Sequence, residues 1–314
     1  MKHVLVTGAH GFIGRHLSSH LAKSGFLVSG LGHGIWPESE ASRWGVSQWI
    51  NGDIGPSNLG LLTRQAGTPD IVFHLAGGSS VGAAVQNPRE DFHRTVVSTA
   101  ELLDWMRQHL PLAKLIVASS AAVYGAGHSG RISESAALQP YSPYGRHKHM
   151  MEELATGYAS DYGLKIAIAR LFSVYGPGLR KQLLWDLCAK MESQQGGITL
   201  GGTGNELRDW THVSDVVRGL ATLGSVAANS APVVNIGTGT GTSVHQIAAQ
   251  MTSEWFRDAP APSVQFSGHA RPGDPFSLIA ENASLTKLGF QWEHRLTDGL
   301  ADYVRWYRQN GRET

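Results

Sequence analysis

Cysteine, charged residues and long apolar runs are all scarce in this sequence, and each scarcity excludes a class of protein. Among the 314 residues Cys188 is the only cysteine, which excludes a disulfide framework and a cysteine-based metal site. Charged residues make up 16% of the chain and the formal net charge is +1, whereas a dedicated nucleic-acid-binding protein is distinctly basic. The 15 histidines lack the spacing of metal ligands, so we expect no metal.

Apolar runs of membrane-spanning length are missing because glycine and charged residues interrupt every candidate, so we expect no membrane segment. The first strand pattern includes Val4, close to the first residue, and leaves no room for a signal peptide. We therefore expect a cytoplasmic protein. Its length suffices for one large domain or for two lobes.

The first half of the sequence contains a regular alternation of short apolar segments with segments of helical period. The predicted strands are 3–7, 26–31, 47–51, 70–75, 113–119 and 165–171. The predicted helices are 12–24, 57–66, 89–109 and 143–162. Strands that are apolar nearly throughout and alternate with helices indicate an α/β fold, with a parallel sheet covered on both faces.

After about residue 176 this rhythm becomes irregular, with many glycine- and proline-rich turns. The predicted strands are 198–200, 233–236 and 264–266, and the predicted helices are 183–193, 213–226, 243–256 and 297–309. We expect a first domain over residues 1–176 and a smaller mixed α/β lobe over 177–314, partly interleaved with the first.

The first chemical motif is VTGAHGFIG at residues 6–14, where Gly8, Gly11 and Gly14 follow a predicted strand and open a predicted helix. Glycines allow the backbone to turn tightly and to approach a pyrophosphate, whose charge is met by the helix N-terminus. A glycine triplet alone is a weak signal, but the strand–turn–helix context predicts a nucleotide-binding site.

Further motifs follow in a fixed order. They are HLAG (74–77), SSAAVYG (119–125), Tyr144-x-x-x-Lys148, VYGPG (174–178), RDW (208–210) and RPGD (271–274). Together they resemble the extended short-chain dehydrogenases/reductases, in the NAD-dependent epimerase/dehydratase branch typified by UDP-galactose 4-epimerase. The resemblance runs from about residue 3 to 309. It implies a Rossmann-type doubly wound parallel sheet with a nucleotide-sugar-binding lobe, and a homodimer formed through helices 89–109 and 143–162.

Tyr144 and Lys148 are spaced i,i+4, so on a helix their side chains share one face. A phenol with its ordinary pKa of about 10 is a poor base at neutral pH. A nearby ammonium and a cationic nicotinamide ring favour the phenolate, and a shift of about three pKa units corresponds to about 4 kcal/mol. We therefore expect Tyr144 to act as general acid and base. The resemblance implies that Lys148 also holds the nicotinamide ribose.

The apolar run over 113–119 ends in two hydroxyl residues. In open α/β sheets ligands bind beyond the carboxyl ends of the strands, so Ser119 and Ser120 should reach that crevice. The resemblance implies that Ser120 completes the catalytic set and orients the reacting sugar oxygen. For Ser119 we predict a hydroxyl that satisfies a backbone group at the strand end.

Ala121 and Ala122 follow these serines and limit the reactions that the site can catalyse. In the resembled family, sugar 4,6-dehydratases carry an Asp–Glu pair at these positions, and 3,5-epimerase/reductases carry a cysteine at the second. Methyl groups cannot move protons, so we expect neither reaction. Hydride chemistry remains: oxidation of a carbinol, reduction of a ketone, or both in sequence. The resemblance implies a 4-epimerase. The alternatives are an NADPH-dependent 4-keto-sugar reductase and, in another class, a non-catalytic cofactor-binding regulator or RNA-binding relative.

The resemblance also implies which residues contact the cofactor. They are Gly8, Gly11, Phe12, Ile13, Gly14, Asp53, Ile54, Leu75, Ala76, Gly77, Tyr144, Lys148 and Leu171. NAD enzymes usually end the second strand with an acidic residue, but here Gly32 and His33 stand at that point. We predict NAD and keep NADP as the alternative, with Arg15 as a residue that could reach a 2′-phosphate. Asp53 is expected to accept from the adenine amino group or to cap a turn.

The expected substrate is a nucleotide-diphosphate sugar. The resemblance implies that it contacts Ser79, Ser120, Ser173, Arg208 and Arg271. Two guanidinium groups can bracket a pyrophosphate, although each arginine could instead pair with its neighbouring aspartate. Ser173 and Thr95 stand where the family usually has asparagine, the first facing the substrate and the second bracing the active-site helix.

Overall fold

The computed structural model describes residues 2–193, 197–257, 259–269 and 275–311. Its strands are β1 (His3–Thr7), β2 (Leu27–Gly32), β3 (Val46–Asn51), β4 (Ile71–His74), β5 (Lys114–Ser120), β6 (Arg131–Ile132), β7 (Lys165–Leu171), β8 (Ser173–Tyr175), β9 (Ile198–Leu200), β10 (Leu207–His212), β11 (Val233–Ile236), β12 (Gly241–Ser243), β13 (Val264–Phe266) and β14 (Ser277–Ala280). Its α-helices are α1 (Phe12–Lys23), α2 (Glu38–Arg43), α3 (Pro56–Ala66), α4 (Val81–Gln86), α5 (Pro88–Phe92), α6 (Ser98–His109), α7 (Pro143–Tyr162), α8 (Gln182–Ser193), α9 (Val213–Leu223), α10 (Val244–Trp255), α11 (Ala283–Lys287) and α12 (Leu296–Asn310).

A seven-stranded parallel sheet in the order β11-β7-β5-β4-β1-β2-β3 organises the molecule. Side chains alternate between its two faces, so Val4 and Val6 enter one apolar core and Leu5 enters the other. The first core is closed by α1 and α9, and the second by α3, α6 and α7. The predicted doubly wound sheet is confirmed, and each strand predicted before residue 176 is present to within one residue at either end.

The predicted helix over 89–109 is wrong in one respect, because it is interrupted. Helix α5 ends at Phe92, a π-helical turn spans His93–Val97, and α6 begins at Ser98. The extra residue of a π turn changes which side chains face inward, and such turns are frequent at functional sites. Here the turn buries Thr95, whose hydroxyl accepts a hydrogen bond from the Gly78 amide at 2.8 Å.

The second half of the chain contributes to both parts of the structure. Strand β11 pairs with β7 from Val233–Ile168 to Ile236–Leu171, and so extends the large sheet. Strands β12, β10, β14 and β6 form a smaller sheet, in which β8 also pairs with β10. Helices α8, α10 and α12 pack around a third apolar core. Among the described residues, the helices are all too short or too polar to cross a membrane.

Candidate active site

A cavity of about 1360 Å³ lies where the strands of the large sheet end, facing the smaller lobe. Ligand pockets for a single small molecule are commonly about 300–1,000 Å³, so this one has room for more. It is lined by every predicted site residue that the structure describes: Gly8, Gly11, Phe12, Ile13, Gly14, Asp53, Ile54, Leu75, Ala76, Gly77, Ser79, Ser120, Tyr144, Lys148, Leu171, Ser173 and Arg208. The predicted Arg271 lies outside the described residues.

The glycine turn has no space for side chains. Gly8 has φ +72°, and a Cβ on it would lie 2.9 Å from the Ala76 amide nitrogen. A Cβ on Gly14 would lie 2.1 Å from the Gly8 carbonyl oxygen. Helix α1 therefore packs tightly against the end of β1, with its N-terminal amides opening into the cavity. A tight glycine turn that opens a helix is the geometry that suits a pyrophosphate, the group for which the spacing predicted a site.

Tyr144 is held against the end of β5 by the start of α7. The Ser142 hydroxyl caps this helix by accepting from the Gly145 amide at 3.1 Å. A Cβ on Gly145 would lie 2.6 Å from the Ala122 carbonyl oxygen, so the helix start and the strand end are in direct contact. Ser120 and Tyr144 are hydrogen-bonded through their side chains. The predicted pairing of these two groups at the sheet edge is present.

Lys148 lies one turn further along α7 and is 3% exposed. Its Nζ donates to the Ala118 carbonyl oxygen at 2.9 Å, and a Cβ on Gly77 would lie 3.2 Å from that Nζ. Lys148 thus stands between the strand end and the HLAG loop, and lines the same cavity as Tyr144.

In the protein alone, the groups around Tyr144 do not make it more acidic. Burial raises the pKa of Tyr144, the hydrogen bond with Ser120 opposes this, and the charge of Asp91 raises it further. Burial also lowers the pKa of Lys148 to about 8, against the opposing effects of Asp91 and Glu152. For both groups burial is the largest cause, since it disfavours the phenolate of Tyr144 and the ammonium of Lys148.

Ser119 does not satisfy a backbone group as predicted. It is buried and donates to the Glu152 carboxylate, which also receives Arg170 through contacts of 2.7, 3.0 and 3.2 Å. Arg170 further donates to the Tyr124 hydroxyl at 3.0 Å. This buried network joins α7 to β5 and β7 directly behind Tyr144 and Lys148. Sequence reasoning missed Glu152, although its position four residues after Lys148 on the same helix was a usable signal.

The end of β2 lacks the acidic residue that usually stands there in NAD enzymes of this fold. His33 Nε2 lies 2.9 Å from Asp53 Oδ1, and both side chains are well exposed. Arg15 is held elsewhere: it donates to the His10 carbonyl oxygen at 2.9 Å and stacks between Trp36 and Trp44. Arg15 is not one of the described residues that line the cavity. These contacts do not favour the reach to a 2′-phosphate that the sequence left open for Arg15.

At the opposite end Arg208 lines the cavity from β10. The neighbouring Asp209 is fully buried and accepts from the amides of Thr238 and Gly239 at 2.8 Å each. Its carboxylate fastens a loop, so it does not serve as the local partner that the sequence left open for Arg208. Lys181 also lines this end and donates to the Ser79 carbonyl oxygen at 3.2 Å.

A dinucleotide cradle and a Ser–Tyr–Lys set at the edge of a doubly wound sheet define the short-chain dehydrogenase/reductase class. Comparison with known proteins narrows this class. The model of the NAD dependent epimerase/dehydratase family matches residues 4–237. The chain belongs to that family.

Similar proteins include a putative UDP-glucose 4-epimerase from Methanocaldococcus jannaschii, 30% identical over 98% of this chain and 99% of the relative. A dTDP-glucose 4,6-dehydratase from Actinoplanes sp. is 29% identical over 98% of each chain. Among solved structures, MoeE5 in complex with UDP-glucuronic acid and NAD has a TM-score of 0.85 and 34% identity, covering 98% of this chain and 99% of that one.

Proposed function

We propose that the protein is a nucleotide-sugar 4-epimerase that works with NAD. The observation that carries the proposal is that Ser120, Tyr144 and Lys148 meet in the cavity that holds the glycine turn, while alanines follow Ser120. The putative 4-epimerase from M. jannaschii and the NAD-bound MoeE5 support the same reading. Arg15 is stacked between Trp36 and Trp44, which supports NAD over NADP as the cofactor.

Different residues around the cavity have different roles in the proposed reaction. The glycine turn holds the pyrophosphate of NAD, and Lys148 beside Gly77 holds its nicotinamide ribose. Bound NAD supplies an acceptor, and later a donor, for the hydride of the sugar carbon. Tyr144 takes the proton of the sugar hydroxyl, and Ser120 hydrogen-bonds the same oxygen and keeps it in line with Tyr144. The keto-sugar would then rotate in the cavity, so that hydride returns to the opposite face of the sugar carbon while Tyr144 returns the proton to the carbonyl oxygen.

We also propose that the enzyme does not carry out 4,6-dehydration, although a dehydratase is among its relatives. Elimination of water needs an acid and a base close to the sugar. Ala121 and Ala122 offer methyl groups there. Among the described residues, the carboxylates that line the cavity are Asp53, Glu90 and Glu101, which follow β3 or lie on α5 and α6. None of these elements carries the Ser120–Tyr144 pair.

The decisive experiment incubates the purified protein with UDP-glucuronic acid and, separately, with UDP-glucose, the two sugars that MoeE5 holds in its structures. We expect each accepted sugar to be converted into its C4 epimer, followed by NMR, without consumption of added cofactor. The Tyr144→Phe variant serves as the negative control. Stoichiometric loss of NADPH with a keto-sugar would favour a reductase, and a 4-keto-6-deoxy product would favour a dehydratase.

A homodimer is the assembly we propose, with helices α6 and α7 at the interface. Met150 and Tyr162 on α7 are large apolar side chains that stay 43% and 55% exposed in the single chain. Light scattering of the purified protein should give twice the mass of 33.8 kDa. A Met150→Glu variant that keeps the dimer mass would place the interface elsewhere.

A further inference from the structure

A buried contact between a carboxylate and an imidazole lies behind the wall of the cavity. Asp91 of α5 is 5% exposed, and its Oδ2 lies 2.6 Å from Nδ1 of His147. His147 stands on α7 between Tyr144 and Lys148, and its ring also packs edge-on against Phe92. Neither Asp91 nor His147 belongs to the motifs that identified the family.

Glycine lets this carboxylate come close to the catalytic groups. A Cβ on Gly78 would lie 1.7 Å from Asp91 Oδ1, so the carboxylate rests against the backbone of the loop that follows β4. On the other side of this loop, a Cβ on the preceding Gly77 would lie 3.2 Å from Lys148 Nζ. Gly78 and Lys148 both line the cavity. The backbone of two glycines therefore separates Asp91 from the reacting groups, and peptide backbone screens charge far less than water does.

The other ionisable groups around Lys148 are already compensated. Glu152, on the same helix, is held by Arg170 of β7 at 2.7 Å. His74 of β4 is fully buried and hydrogen-bonded to the hydroxyls of Thr7 and Thr99, and burial with the nearby Lys148 charge lowers its pKa to about 3. Ser119 and Ser120 of β5 are uncharged. Asp91 therefore supplies the carboxylate charge whose effect on Lys148 is not cancelled by an arginine.

We propose that Asp91, anchored by His147, is a positioning residue that keeps the Lys148 ammonium charged and sets the pH at which Tyr144 ionises. The inference rests on the proposed role of Tyr144 and Lys148. The carboxylate acts on both groups in one direction, since a negative charge favours the ammonium and disfavours the phenolate. Loss of that charge must move both ionisations to lower pH.

The test is a titration of the NAD-loaded protein that needs no sugar substrate. The phenolate absorbance of Tyr144 is obtained by subtracting the spectrum of the matching Tyr144→Phe protein at each pH. In Asp91→Asn, which keeps the shape and a hydrogen bond to His147, we expect the midpoint to fall by about one pH unit. Below the midpoint that is about a tenfold larger phenolate fraction. The kcat profile should move the same way, with a smaller change in KM. An unmoved midpoint in the folded variant overturns the proposal.

Two further variants separate charge from packing. His147→Gln retains a donor for Asp91 and leaves the carboxylate charged, so its midpoint must not fall. A fall equal to that of Asp91→Asn would mean that disturbed packing moves the midpoint, and would overturn the proposal. Glu153→Gln is the matched control, because Glu153 faces His149 on the same helix but is 67% exposed. Since the titration does not depend on turnover, it stands even if the sugar substrate is another one.

Discussion

The two ends of the cavity are built in opposite ways. At the catalytic end Lys148, Glu152 and Arg170 are each at most 4% exposed, and every one has a partner on a different element. At the end beside β2 and β3, which we call the adenosine end after the role predicted for Asp53, His33 and Asp53 meet in solvent, with side chains 60% and 91% exposed. Buried charges have fixed neighbours and little water to screen them, whereas exposed pairs are screened by solvent and can rearrange. The difference suggests that chemistry depends on the rigid end and that the adenosine end contributes moderate affinity.

Tyr144→Phe is the substitution expected to reduce activity most. Because the change removes the hydroxyl that moves the proton, we expect kcat to fall about 10²- to 10⁴-fold. Binding of NAD, measured by fluorescence titration, should change little. A variant that retained most of its turnover would show that another group carries the proton.

Removing a charge from the buried Glu152–Arg170 pair should lower the stability of the fold. Glu152→Gln leaves Arg170 without its carboxylate in a buried site, and we expect the free energy of unfolding to fall by about 3–5 kcal/mol. The control is Asp302→Asn, which removes the partner of Arg305 in an exposed pair of similar length, 2.7 Å. That change should cost less than about 1 kcal/mol in the same urea unfolding experiment. Equal losses would mean that burial does not distinguish the pairs.

The dependence of folding stability on pH tests the effect of burial at a further residue, His74. Its pKa is lowered to about 3 in the folded protein, while in the unfolded chain it has the ordinary value of 6.5. Between these values the unfolded chain binds more protons, so stability that is complete above pH 6.5 is lost as the pH falls. The expected slope is about 1.4 kcal/mol per pH unit for this residue.

The slope is measured by urea unfolding between pH 7 and pH 4.5. In His74→Asn it should become flatter, although not flat, because burial also lowers the pKa of His212 to about 4. The exposed His269→Asn is the control, with an unchanged slope expected. A His74→Asn slope equal to that of the wild type would contradict the neutral state assigned to this ring.

The smallest effect is expected at the adenosine end. Asp53→Asn keeps an acceptor for the adenine amino group and removes the charge that faces His33. We expect the Kd for NAD to rise by about two- to tenfold, the range of a single exposed hydrogen bond, with kcat unchanged. Calorimetry on both proteins measures this. A hundredfold loss would show that the exposed pair matters as much as the buried groups.

Prediction from the sequence succeeded for some elements of the fold and failed for others. Strands β1 and β7 and helix α7 have the predicted bounds, since their apolar patterns are set by a sheet buried on both faces. The break in the helix over 89–109 escaped prediction because no glycine or proline marks it in the sequence. Strands β10 and β14 also escaped, since their pairing depends on segments far away in the chain.

By itself the sequence determined the glycine turn, the shared helix face of Tyr144 and Lys148, and the hydroxyls that end β5. These depend on residue spacing within a single element, where local chain geometry leaves little choice. The tertiary structure decided the rest: the contact between Asp91 and His147 spans 56 residues of sequence, and Arg15 is stacked between two tryptophans. It also decided that burial raises the pKa of Tyr144, because the solvent around a side chain is a property of the packed molecule.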